Sequence, residues 1–146
     1  MDVSELLAAR ERKKRYLRSY KESVQREKDI IQELEELRMD KMMPSVKMSD
    51  GMPKAAGVHR DLSDYIVRLD AMICRLVREK AEKLKRREEI EIKIDAMGDD
   101  QEQRVLRLRY IKGLDWEDVS EKMGYSWAHV HRIHNNALDH FENEME

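Results

Sequence analysis

His129, His131, His134 and His140 fall close together near the C-terminus, interleaved with Arg132, Asn135 and Asn136. Histidine can ligate a metal, donate to a phosphate or base, or change charge near neutral pH. On a helix, His131 and His134 would stand one turn apart, a spacing that could start a metal site, but no cysteine or convergent acid completes a shell. No metal and no cofactor is therefore expected. Arg132, Asn135 and Asn136 have the side chains that pair bidentately with guanine and adenine in the major groove of a duplex. Histidines on the same surface would add contacts to phosphates or bases, and those contacts would strengthen as pH falls through the range of about six to seven. Solvated surface is the alternative for each of these polar side chains. Catalysis has no comparable support: the chain lacks a glycine-rich phosphate loop, a nucleophile elbow and a His-Glu metal motif, so no enzyme is expected.

Two short helices would position these side chains. Asp115 can cap the first, with Asp118 three residues on, and Val119 and Met123 supply its buried face. Gly124 ends it in the left-handed conformation a sharp turn requires, and Ser126 caps the next helix. That second helix would bury Val130, Ile133, Ala137 and Leu138 and leave Trp127, Ala128, His129, His131, Arg132, His134, Asn135 and Asn136 on its free face. The arrangement is that of a helix-turn-helix whose second helix reads DNA. Trp127 can reach base edges or fold back on its own domain. Trp116 is expected to pack in the core against Tyr110 or the following turn. In the preceding helix, Val105, Leu106 and Leu108 face the core, leaving Arg104, Arg107 and Arg109 outward, where ion pairs with Glu102 or Asp118 compete with any external partner.

The run Val105-Leu106-Arg107-Leu108-Arg109-Tyr110, then Gly113-Leu114, Trp116-Glu117-Asp118-Val119, Met123-Gly124-Tyr125-Ser126, Val130, Ile133 and Ala137-Leu138 resembles region four of bacterial sigma factors. From about Asp61 onward the chain is similar to small sigma-region-four-like proteins of Gram-positive prophages. The resemblance implies a DNA-binding module that recognises promoter DNA or works beside RNA polymerase, with Arg107, Arg109 and Lys112 as phosphate contacts and no enzymatic activity. The chain departs from the sigma pattern at Ser120, where a small alanine is usual, and at Trp127-Ala128, where an Arg-Glu pair is usual, so the sigma target sequence does not carry over. A complete sigma factor would also need an aromatic-rich melting domain, and this chain has only 2 Trp, 5 Tyr and 1 Phe.

The 146 residues, 41% of them charged, with 5 Gly and 2 Pro and patterned at helical period, predict an all-α protein. Ser4 can cap a helix reaching about Met39, with a seam at Leu17, Val24, Ile31 and Leu34. Residues 40–60, with both prolines, read as a linker. Asp61 or Ser63 caps a second long helix to Met97, whose seam includes Leu62, Ile66, Leu69, Ile73 and Leu76. These two helices are expected to form a hairpin or coiled-coil bundle over residues 1–97, followed by the helix-turn-helix domain at 98–146. The apolar strips are wider than one pairing needs, which predicts a homodimer. Charge distribution is uneven. From Asp100 to Glu146 six Lys or Arg face ten Asp or Glu, whereas Arg10 to Lys21 holds seven basic residues and the single Glu11. An antiparallel hairpin would bring that basic stretch back toward Arg78 to Arg87, where like charges would repel unless phosphates or an acidic partner lay between them. The one cysteine, Cys74, suits a reducing cytosol, and no signal peptide or membrane span is evident, so a cytoplasmic protein is expected.

These readings converge on a dimeric transcriptional regulator of phage type that binds double-stranded DNA, with the long helices setting the distance between half-sites and RNA polymerase as a further candidate partner. A phage DNA-packaging protein like a small terminase subunit, or a polymerase-binding adaptor, is the alternative.

Overall fold

The computed structural model describes residues 2–42 and 55–142. Its regular elements are all helical: α1 (Val3–Met42), α2 (Ala55–Asp95), α3 (Asp100–Leu106), a π-helical segment (Arg107–Ile111), α4 (Trp116–Met123) and α5 (Trp127–His140). No strand occurs among the described residues. Helix α2 begins before Asp61 and Ser63, so these residues lie inside the helix and do not cap it. Gly57 costs about 1 kcal/mol inside a helix, too little to end one of 41 residues. Asp40 likewise belongs to α1, and residues 43–54, the rest of the expected linker, lie outside the described residues.

The chain divides into two compact units, Met1–Ser23 with Lys83–Glu146, and Val24–Glu82. This partition differs from a boundary at residue 97, because the start of α1 and the end of α2 share a core with the C-terminal helices. Leu17 of α1, Ile90 and Ile94 of α2, Leu106 of α3, Val119 of α4 and Leu138 of α5 are all fully buried in the first unit. Ile90 and Ile94, four residues apart, share one face of α2; the helix ends at Asp95 rather than at Met97, which is buried just beyond it. Phe141, also buried, lies against Tyr16 with ring centroids 6.1 Å apart. Leu17 is therefore spent on the chain's own core, a correction to its expected place in an oligomer seam.

The basic stretches of α1 and α2 meet within this unit through tyrosines. Arg86 and Lys93 lie over the Tyr16 ring at 5.5 and 4.2 Å, and Arg87 over Tyr20 at 5.9 Å. Lys93 also donates to the Tyr16 hydroxyl at 2.9 Å. Glu11 pairs with Lys14 and Arg18. The expected repulsion is thus offset by aromatic faces, which attract cations, and no external anion is required for the contact.

In the second unit, α1 and α2 run antiparallel, with Arg26 3.2 Å from Glu79 and Arg75 3.5 Å from Glu33. Ile30 is buried there, while Leu62, Ile66, Ile73 and Val77 stay exposed. Val24, Leu34, Leu69 and Leu76 are half-buried. A pair of helices has only one contact line, so part of each apolar strip is left without cover.

Candidate functional site

Both expected caps before the outward residues are formed. Asp115 Oδ1 accepts from the Asp118 N–H at 2.8 Å, and Ser126 Oγ accepts from the His129 N–H at 3.2 Å. Gly124 has φ 71°, and the N–H of Tyr125 reaches back to the Ser120 carbonyl at 3.3 Å, closing the end of α4. Glycine is needed here for its backbone conformation; nothing lies within 4 Å of where a Cβ would stand. The turn fixes where α5 begins and hence which of its residues face outward.

The buried face of α5 is Val130, His134, Ala137 and Leu138, continued by Phe141. Ile133 is only half-buried, and His134, expected on the free face, is 3% exposed. The correction follows from register: 130, 134, 138 and 141 are spaced four, four and three, so they form one stripe centred on His134. The Tyr110 hydroxyl lies 2.8 Å from His134 Nε2. Burial, with smaller contributions from Lys14, His131, Arg109 and Arg18, lowers the His134 pKa to about 3, and burial pushes the Tyr110 phenol up to about 12. The hydroxyl and the neutral imidazole thus satisfy each other inside the core.

His131 is half-buried between two tryptophans, its ring centroid 4.4 Å from Trp116 and 3.9 Å from Trp127. Its Nε2 is out of solvent with no hydrogen-bond partner among the described residues. Burial, then Arg109 and Lys14, holds it below the usual histidine range. His134 therefore does not supply the charge expected from it on mild acidification, and the His131 pKa moves in the same direction. Trp116 also meets His134 edge-on at 4.5 Å, so it is part of the core support, though its partners are the histidines and Arg109.

The exposed residues of α5 are Trp127, Ala128, Arg132, Asn136 and, at its end, His140; Asn135 is half-buried and His129 lies partly under Tyr125 at 4.5 Å. Trp127 is 63% exposed and does not fold into the core. Of the three basic residues expected to contact phosphate, two are engaged within the chain. Arg107 pairs with Asp95. Arg109 lies 4.7 Å over the Trp116 ring and donates to the Leu114 carbonyl at 3.0 Å. Lys112 is exposed, and its N–H bonds the Arg107 carbonyl at 2.8 Å, the i to i+5 bond of the π-helical segment.

Sequence reasoning missed the anchoring of α5 by α1. Arg10 holds Asp139 with two bonds of 2.7 Å, and Lys13 Nζ donates to the carbonyls of Leu138 and Asp139 at 2.9 and 3.4 Å. The lysine satisfies carbonyls that the end of a helix leaves open, and its charge suits the negative end of the dipole. The Arg10 hydrogen bond draws the Asp139 carboxyl below the usual range. At the same end, His140 Nδ1 donates to the buried Glu102 carboxylate at 2.7 Å. These partners are distant in sequence, and no local pattern announces them.

A family model described as a protein of unknown function, DUF1492, matches residues 42–142. The chain belongs to that family. The DUF1492 match takes in α3, α4 and α5 entire, while Arg10, Lys13 and Leu17 lie ahead of it. No curated protein and no solved structure matches the chain. Among the described residues no helix is long and apolar enough to cross a membrane, and no group of three or more His, Cys, Asp or Glu could hold a metal ion.

Proposed function

We propose that this protein is a sequence-specific, DNA-binding transcriptional regulator of phage type, resembling region four of sigma factors. In this reading α4, the turn at Gly124 and α5 form a helix-turn-helix, and the helix from Ser126 to Phe141 enters the major groove. The observation that supports it best is the division of α5: one face is committed to the core through Val130, His134, Ala137 and Leu138, the other exposes Ala128, Arg132 and Asn136, and Trp127 stands exposed at the helix's first position. Arg and Asn are the types that read guanine and adenine edges. Joining the basic start of α1 to the acidic C-terminal helices brings their shared unit close to charge balance, which eases approach to phosphates. The exposed strip of Leu62, Ile66, Ile73 and Val77 supports a homodimer. The same strip, with Arg107 and Arg109 already engaged, favours an adaptor that binds RNA polymerase as the second reading.

Selection of bound duplexes from a random library by the full chain, followed by sequencing, tests the proposal. The expected result is an enriched motif that disappears with Arg132→Ala and Asn136→Ala while the melting temperature of each variant is unchanged. No enrichment overturns direct reading, and retention of an RNA polymerase contact in that case selects the adaptor.

A further inference from the structure

The exposed end of α5 carries an aromatic side chain that the hydrogen-bonding face does not explain. Trp127 is 63% exposed, yet its ring rests on His131 at 3.9 Å; His131 rests on Trp116 at 4.4 Å, and Arg109 lies over Trp116 at 4.7 Å. An indole backed by three layers is held ready for contact, because little side-chain entropy remains to be lost when something covers it. The surface it offers is apolar. Its neighbour Ala128 is small and exposed, and the imidazole beneath is half-buried between the two indoles. The negative face of an indole does not attract a phosphate. In a duplex the base faces are covered by stacking, and among the edges open in the major groove the one apolar group is the 5-methyl of thymine.

We propose that Trp127 is a specificity-determining residue that packs on the 5-methyl group of a thymine, with His131 and Trp116 as positioning residues that hold its ring. This rests on α5 being the groove helix and goes further by assigning the base that its first residue selects. Arg132, five residues on, would then read a different base, so apolar and hydrogen-bonding recognition are divided along one helix. The indole contributes by excluding water from the methyl and donates no hydrogen bond to the base.

The test uses the full chain and the duplex obtained by selection. Each thymine is replaced in turn by deoxyuridine, which removes only the methyl, and affinities are measured for the wild type, Trp127→Ala and Trp127→Leu. Burial of one methyl predicts about fourfold weaker binding at one position for the wild type. Trp127→Ala should show no loss at that position, and Trp127→Leu, which stays apolar, a part of it. Circular dichroism should show both variants folded, since the residue is exposed. Tolerance of deoxyuridine at every position, or an equal loss in the wild type and Trp127→Ala, overturns the assignment and leaves duplex reading intact. Preference for single-stranded over duplex DNA overturns it in favour of stacking on unpaired bases. Failure to enrich any motif removes the groove reading and this inference with it.

Discussion

Burial keeps His134 neutral, and the Tyr110 phenol satisfies its ring nitrogen at 2.8 Å. The folded pKa of about 3 lies below the ordinary value of about 6.5, so between these limits the unfolded chain binds a proton that the folded chain refuses. Stability is then full above the ordinary value and falls as pH drops toward the folded one, with a slope approaching about 1.4 kcal/mol per pH unit from this one ring. Urea unfolding from pH 7 to pH 5 should show that decline, and His134→Phe should flatten it. Some slope persists in the variant, because the lowered His131 acts in the same direction. An unchanged slope would mean that the ring is protonated in the folded state. At this scale the sequence revealed Ser126 as a cap, and Arg132 and Asn136, whose types and outward spacing are local facts. It hid His134, because a histidine beside Ile133 invites the apolar residue into the core, and the phenol that compensates its burial stands on another element.

The turn between α4 and α5 was legible because each of its parts has a local cause: Asp115 and Ser126 as caps, and Gly124 as the left-handed residue. Gly124→Ala should cost about 1–2 kcal/mol by placing a Cβ in that conformation, and Ser126→Ala about 1 kcal/mol by leaving helix N–H groups without an acceptor. Chemical denaturation of the single variants checks both values. Gly124→Asn should lie closer to the wild type than Gly124→Ala, since Asn tolerates positive φ better; the reverse order would point to a steric cause, which the open space around the glycine argues against. The π-helical segment was not legible. Its Lys112 to Arg107 bond inserts one extra residue before Gly113, and the result is that Tyr110 meets His134 while Arg109 covers Trp116. Those contacts are tertiary, and nothing in Arg107 to Ile111 distinguishes the segment from an ordinary helix.

For the whole chain, helical period alone disclosed two long helices, and their apolar strips disclosed that something must cover them. The closure of α1 onto α5 was hidden, because it depends on polar residues, Arg10 and Lys13, at positions where a seam should be apolar. One consequence is that residues 98–146 alone lack Leu17, Ile90 and Ile94, all fully buried in the unit they share. That fragment should show no cooperative unfolding, and Leu17→Ala in the full chain should cost about 2–5 kcal/mol; a fragment that melts cooperatively would restore the boundary at residue 97. The second unit poses a different question, because Ile66 is 48% exposed, Ile73 42% and Val77 60%, on one helix face, beside few buried apolar side chains. A second copy offers the same strip, and two-fold pairing would cover both at once. Sedimentation equilibrium should therefore give a dimer for the wild type and a monomer for Ile66→Glu with Ile73→Glu, since each carboxylate would have to lose its water in the contact. Exposed in the free chain, the two glutamates should leave helicity unchanged. Selected DNA separates the consequences: the dimer should enrich a motif with two-fold symmetry, and the double variant should bind a single half-site more weakly. A wild-type monomer that enriches one asymmetric site would remove the dimer while preserving the reading helix, and the apolar strip would then belong to a different partner.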